Sequence, residues 1–214
     1  MLDGRRFDDD ARRRAPGARL VGVDEAGRGP LAGPVVVAAV SLPEDSSPGL
    51  DEVRDSKMMT PRNRERLFGV IVSEALAVSV AWAHPGAIDE YNILKATLTA
   101  MGRASRRAAA KAGGRAFLVL VDGPSRIPDS ALPQEKIVGG DALSLNIAAA
   151  SIVAKVVRDR WMARLDRRYP GYGFARHKGY GTKAHLDALE RLGPCAAHRR
   201  SYAPVARSVL ETTK

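Results

Sequence analysis

Apolar and polar positions along the chain divide it into alternating strand-like and helix-like stretches. Leu20 to Val23 reads as a short buried strand, stopped by the turn residues Gly27, Gly29 and Pro30. The β-branched run Val35 to Val40 reads as its hairpin partner, and Pro43 to Gly49 as a loop. Thr60-Pro61 places an N-cap before a proline at the first helical position, opening a helix to about Glu74 with Leu67, Val70 and Ile71 as its buried stripe. Val78, Val80 and Trp82 alternate as a third strand, with Trp82 and Trp161 expected in the core. A long helix is predicted from about Ile88 to Lys111, with Ile93, Thr97, Ala100, Met101 and Ala104 on one face and Gly113-Gly114 as its stop. Phe117 to Val121 is apolar throughout, as expected of a central strand covered on both faces. Ile137-Val138 predicts a last short strand. The helix after Gly139-Gly140-Asp141 carries Ile147, Ala150, Ala154, Val157, Trp161 and Leu165 at spacings of three and four. Thr182 to Leu192 and a stretch from Val205 predict two more helices. Strands interleaved with helices, opened by a hairpin, indicate an α/β fold on a mixed sheet.

Composition narrows the class. A chain of 214 residues is long enough for a full core and most simply forms one domain, 20–214, behind a charged and disordered leader, 1–19. Lys plus Arg total 34 against 24 Asp plus Glu, a net charge of +10 that favours encounter with a polyanion. Cys195 is the sole cysteine, which excludes an internal disulfide and a Cys-based zinc site. No apolar run approaches the ~20 residues of a membrane span, and the first residues lack a signal-peptide core, so a cytoplasmic protein is expected. A monomer is expected as well, since nothing resembles a coiled coil.

Against this basic background, acids stand at informative places. Asp24 and Glu25 lie between an apolar strand and a glycine turn, Asp122 ends the central strand, and Asp141 sits where a Gly-Gly turn meets a helix. Adjacent strand ends in open α/β sheets converge on a crevice. Carboxylates gathered there repel unless a cation separates them, and hard oxygen donors suit Mg²⁺ or Mn²⁺. Taken singly, Asp122 also fits a turn residue and Asp141 an N-cap. Gly27-Arg28-Gly29 fits a tight turn, and equally a backbone that approaches a ligand closely enough to read a sugar 2′-hydroxyl. Lys57, Ser151 and Lys155 are candidates for phosphate contact, or else an exposed lysine and an ordinary helix face. Arg199 and Arg200 extend a basic track or form a solvated charge run. His177 and His198 show no catalytic partner in the sequence, and Asp159 is read as pairing with a basic neighbour on its helix.

Val23-Asp24-Glu25-Ala-Gly-Arg-Gly-Pro-Leu-Ala-Gly-Pro-Val35 resembles the opening motif of ribonuclease HII, the type 2 ribonuclease H family. Asp55-Ser56-Lys57, the Ile88–Thr97 segment, Val121-Asp122-Gly123, Gly140-Asp141-Ala142, Ile147–Asp159, His177–Thr182 and His198–Pro204 follow in the family's order, so the resemblance runs from about Leu20 to Val205. It implies an RNase H-like fold with a mixed five-stranded sheet flanked by helices and a helical C-terminal extension. It also implies cleavage of RNA paired to DNA and of single ribonucleotides embedded in duplex DNA, leaving 3′-OH and 5′-phosphate ends, with a role in ribonucleotide removal during repair and replication. By motif match, Asp24, Glu25, Asp122 and Asp141 are the catalytic metal ligands for Mg²⁺ or Mn²⁺, two ions per site. Gly27, Arg28 and Gly29 match the segment that reads the 2′-OH, and Tyr180 the tyrosine that packs on the neighbouring deoxyribose. The C-terminal tail is a candidate contact for a replication clamp. Gly139 stands where many relatives have lysine, and Tyr91 where an aliphatic residue is usual. The sister class ribonuclease HIII and a non-catalytic RNA-binding protein are the competing readings; the short leader argues against the first.

Overall fold

A computed structural model describes residues 4–45, 49–53, 59–114 and 116–212. Five strands, β1 (Arg19–Ala26), β2 (Val35–Ser41), β3 (Ala77–Ala83), β4 (Phe117–Asp122) and β5 (Gln134–Ile137), form one sheet in the order β3-β2-β1-β4-β5. β1 runs antiparallel to β2 and parallel to β4, and β4 is parallel to β5, so the sheet is mixed as expected. The helices are α1 (Gly4–Arg14), α2 (Pro61–Glu74), α3 (Pro85–Tyr91), α4 (Ile93–Ala112), α5 (Leu145–Arg168), α6 (Phe174–His177), α7 (Lys183–Leu192) and α8 (Ala203–Thr212).

The described chain falls into two compact units where the sequence reading had one domain. The first comprises Met1–Ala26, Val36–Ala81 and Leu98–Val156; the second comprises Gly27–Val35, Trp82–Thr97 and Val157–Lys214. In the first unit the alternation of strand side chains sorts the core into two layers. Val21, Val23, Val119 and Val121 pack with Ala100, Met101, Ala104 and Ala108 of α4. Leu20, Leu118 and Leu120 pack on the other face with Ala11 of α1 and Ile147 of α5. Gly22 permits the closest approach of β1 to α5, because a Cβ there would overlap the backbone carbonyl of Asn146. The second unit is built around Met162, Phe174 and Tyr172, whose rings stack at 5.2 Å, and around Leu31, Leu189 and Val205.

Several elements depart from the sequence reading. The leader is not disordered over its described part: Gly4–Arg14 is helical, and its buried Asp8 explains why. Asp8 accepts from Ser144 Oγ at 2.6 Å, from Asn146 Nδ2 at 2.8 Å and from Asn146 N at 3.1 Å, which fastens α1 to the start of α5. Burial pushes the Asp8 carboxyl up, and these hydrogen bonds oppose the shift. The predicted long helix is two, broken at Asn92, which takes φ +65° while its Oδ1 accepts from Lys95 N. On β3 the buried positions are Ala77, Ser79, Ala81 and Ala83, and Trp82 is 38 % exposed, its ring tilted at 51° to that of Trp161 with centroids 5.9 Å apart. The small residues face inward there, so the bulky alternating set lies on the outer face. β5 ends at Ile137, leaving Val138 73 % exposed. α5 is not amphipathic at its start, since Ile147 to Ala154 are all buried.

Candidate active site

β1 is longer than the apolar run that announced it. Its parallel pairing with β4 ends at Val23–Val121, whereas its antiparallel pairing with β2 continues through Asp24–Ala38 and Glu25–Val37 to Ala26–Val36. Asp24 and Asp122 therefore stand one residue past the last parallel pair, on neighbouring strands spaced about 4.8 Å apart. Asp24 is 5 % exposed, and its Oδ1 accepts from Glu25 N at 2.7 Å. Asp122 Oδ1 accepts from Gly140 N at 2.7 Å, which draws the single turn Gly140–Ala142, and buried Asp141 within it, to the end of β4. Gly139 enters that turn at φ +68°, a conformation that glycine adopts without strain.

The electrostatics of this corner favour a cation. Burial, then the Glu25 and Asp122 carboxylates, hold Asp24 well above the usual carboxylate range, against hydrogen bonds from Glu25 N and the Ser151 hydroxyl. Like charges in a low-dielectric site raise a pKa until a cation neutralises them. The donors are all oxygen, the chemistry that Mg²⁺ and Mn²⁺ select. Among the described residues no three His, Cys, Asp or Glu side chains form a ready-made metal cage. The acids are thus collected at adjacent strand ends but not closed into a shell, and the donor set fits a divalent ion. Ser151 is buried and hydrogen-bonds to Asp24, so it orients a carboxylate rather than standing on an open helix face. Lys155, half-buried one turn later, lies on the same face of α5. Lys57 lies outside the described residues.

In the second unit Gly27, Arg28 and Gly29 form a turn beside Tyr180, with Gly27 half-buried and Arg28 and Gly29 exposed: a Cβ at Gly29 would lie 3.8 Å from Tyr180 Cε1. Tyr180 is 48 % exposed, so its ring is available as a contact surface. Gly27 has φ +97°, and a side chain there would collide with Arg158. Two arginines hold this region from inside. Arg158 donates from Nε to Pro34 O at 3.1 Å and from Nη2 to Ala32 O at 3.3 Å and Lys178 O at 3.0 Å. Burial, then the neighbouring Arg199, lower its pKa to about 10, while Asp159 opposes the shift. Arg199, read from the sequence as part of a basic track or a solvated charge run, is instead fully buried and hydrogen-bonds the carbonyls of the glycine turn. Arg200 alone of that pair is exposed.

Three of the four histidines, His177, His185 and His198, form a cluster that sequence spacing did not reveal. A backbone N–H only donates and a carbonyl only accepts, which fixes the ring protons. Cys195 N donates to His198 Nδ1 at 3.1 Å, so His198 Nε2–H faces His185 Nε2 at 3.1 Å, and His185 Nδ1–H donates to Tyr180 O at 2.9 Å. Burial, then His185, depress the His198 pKa to about 4. His177 stacks on His185 at 4.4 Å. The cluster holds the backbone beneath Tyr180; Cys195 Sγ lies 3.3 Å from His198 Nδ1, where burial pushes the thiol up rather than toward the thiolate.

Comparison with known proteins identifies the family and the fold. The sequence model of the family Ribonuclease HII matches residues 21–205. A Ribonuclease HII from Geobacillus thermodenitrificans is 55 % identical over 192 residues, spanning 89 % of this chain and 71 % of the relative. The crystal structure of the ribonuclease H2 from Pyrococcus horikoshii superposes with a TM-score of 0.71 at 26 % identity, over 92 % of this chain and 99 % of that one. The RNase HII of the PCNA:RNase HII complex from Archaeoglobus fulgidus gives 0.71 at 24 % identity, over 86 % and 95 %.

Proposed function

Because the chain belongs to the ribonuclease HII family, we propose that it cuts duplex DNA on the 5′ side of embedded ribonucleotides as well as the RNA strand of RNA–DNA hybrids. Family membership makes it a metal-dependent RNase H nuclease acting on the RNA of RNA–DNA hybrids. The observation that carries the finer reading is the buried Asp24 carboxylate, raised by Glu25 and Asp122 at the end of the parallel β1–β4 pairing. Asp24, Glu25, Asp122 and Asp141 are the residues proposed to hold the catalytic ions, Mg²⁺ or Mn²⁺, two per site. When bound, such ions supply activation of the attacking water and stabilisation of the departing 3′-oxygen, giving 3′-OH and 5′-phosphate ends. Glu25 N and Ser151 orient Asp24, and Gly140 N orients Asp122, so two of the four proposed ligands are held by hydrogen bonds at the strand ends.

The turn Gly27-Arg28-Gly29 is proposed to read the ribose 2′-OH, Tyr180 to pack on the adjoining deoxyribose, and Lys57 and Lys155 to hold phosphates. The exposure of Arg28, Gly29 and Tyr180, and the nearness of Tyr180 to Gly29, support the first two assignments. The excess of basic residues suits a duplex substrate. Among the described residues no helix is long and apolar enough to cross a membrane. A monomer in the cytoplasm, serving ribonucleotide removal in repair and replication, belongs to the same proposal. So does a clamp contact through the C-terminal tail, prompted by the PCNA complex of the structurally similar Archaeoglobus protein. The test is incubation with a DNA duplex carrying one ribonucleotide. Mn²⁺ or Mg²⁺ is expected to support a cut 5′ of the ribonucleotide, EDTA to stop it, and Asp24→Asn or Asp122→Asn to abolish it without unfolding. An intact duplex after incubation with folded, metal-supplied wild type refutes the proposal, and cleavage of long hybrids alone favours the ribonuclease HIII-like reading.

A further inference from the structure

Arg199 is an arginine in an unusual place. It is 0 % exposed, and its side-chain hydrogen bonds go to neutral oxygens. Nη2 donates to Gly27 O at 2.6 Å and to Gly33 O at 3.0 Å, Nη1 to Arg28 O at 2.7 Å and to Tyr202 Oη at 3.1 Å, and Nε to Gly33 O at 3.1 Å. Tyr202 Oη in turn donates to Arg28 O at 2.7 Å. The backbone around Arg199 is fixed too: Arg199 N donates to Leu31 O, and Gly33 N to Ala197 O, both at 2.8 Å. Burying a guanidinium is costly, and it persists only where its donors are satisfied in good geometry. The planar fork of arginine meets several carbonyls at once, which the single ammonium of lysine does not do.

Peptide geometry turns this clamp into a directional device. In a trans peptide the C=O and N–H of one plane point in opposite directions, and among the described residues every peptide bond is trans. With Gly27 O and Arg28 O drawn inward onto Arg199, the N–H groups of Arg28 and Gly29 point away from it. Both residues are exposed, on the side where Tyr180 approaches Gly29. Two successive donors, polarised by a cation at the opposite end of their peptide planes, suit a sugar oxygen or another small acceptor.

We propose that Arg199, seconded by Tyr202, is a specificity-determining positioning residue, which sets the direction of the Arg28 and Gly29 amides and so the discrimination between ribose and sugars lacking a 2′-hydroxyl. The proposal rests on the reading of this turn as the ribose sensor. Arg199 touches no substrate; it acts through the two peptide planes.

The experiment compares cleavage of one DNA duplex carrying a single ribonucleotide with the same duplex carrying 2′-fluoro-2′-deoxyribose at that position, since organic fluorine is a weak acceptor. Full-length wild type, Arg199→Lys and Tyr202→Phe are assayed with Mn²⁺, with thermal melting as the fold check. Wild type is expected to prefer the ribonucleotide strongly. Arg199→Lys is expected to lose about tenfold or more of that preference, and Tyr202→Phe about threefold, by a slower ribonucleotide cut with the fluoro rate unchanged. A merely structural role lowers both rates in proportion and leaves the ratio intact, which overturns the proposal. If Arg199→Lys does not fold, Tyr202→Phe decides, and an unchanged ratio in the folded Tyr202→Phe overturns it. Wild type that fails to discriminate at all refutes the ribose-sensor reading itself, and the proposal with it. A discriminating wild type with indifferent variants refutes only the part assigned to Arg199 and Tyr202.

Discussion

Replacing Gly27 by alanine tests how tightly the glycine turn is built. Two costs arise at one atom. The backbone sits at φ +97°, and an L-residue with a Cβ pays about 1–2 kcal/mol to stay in left-handed territory. The new Cβ also falls on Arg158, overlapping Nε and Cδ and lying 2.7 Å from Cζ, with Arg158 itself buried and tied to three carbonyls. Overpacking of that kind costs about 1–3 kcal/mol. The sum, about 2–5 kcal/mol, corresponds to a fall in Tm of about 4–20 °C at roughly 2–4 °C per kcal/mol for a chain of this size. Relief by displacing Arg158 loosens Ala32, Pro34 and Lys178, which adjoin the turn and the Tyr180 loop, so cleavage beside a ribonucleotide should fall at least tenfold even below the new Tm. Thermal unfolding followed by circular dichroism, with initial cleavage rates at a temperature where both proteins are folded, measures both quantities. A Gly27→Ala protein that melts within 1 °C of wild type and cuts at the same rate refutes the packing argument.

Three further outcomes follow from buried ionisable groups. Asp24 has a folded pKa raised above its unfolded value, so its charge opposes folding once pH rises past the unfolded pKa; metal-free Asp24→Asn should melt higher than wild type at pH 7, with the gap closing toward pH 3 and shrinking when Mn²⁺ is added. Asp8→Ala leaves Ser144 and Asn146 donors without their acceptor, at a cost of about 2–3 kcal/mol, and calorimetry should show it while cleavage well below the Tm is unchanged; an unaltered Tm would mean that α1 is not anchored by Asp8. His198 has a folded pKa of about 4 against an ordinary 6.5, so the unfolded chain binds the extra proton. Stability should be full above pH 6.5 and decline as pH falls toward 4, and His198→Gln should flatten that slope in chemical denaturation series.

Local signals with a single physical cause were readable from residue order. Thr60-Pro61 opens α2 with Thr60 accepting from Asn63 N, because a hydroxyl before an N1 proline has few other uses. The apolar run Phe117–Val121 is a central strand because only burial on both faces tolerates it. The acids at the ends of β1 and β4 were legible as a set through their placement after such runs. What escaped depends on partners distant in sequence. Asp8 looks like leader charge until Ser144 and Asn146, 136 and 138 residues away, come into view. Arg199 looks like surface charge because its partners are carbonyls of Gly27, Arg28 and Gly33, and carbonyls leave no trace in residue type. Asn92 broke the long helix by adopting positive φ, which a continuous apolar periodicity conceals. On β3 alternation was correct and its face inverted, since alanine and serine, not tryptophan, fit against α4.

The central claim is that the acids around Asp24 are the metal site of a ribonuclease HII, and Mn²⁺ binding reports on it directly. Titration of Mn²⁺ into the metal-free protein, followed by electron paramagnetic resonance of the free ion, should show saturable binding by wild type that is weakened at least tenfold in both Asp24→Asn and Asp122→Asn, with circular dichroism spectra unchanged. Binding of equal strength in wild type and both variants would place the metal elsewhere and contradict the account.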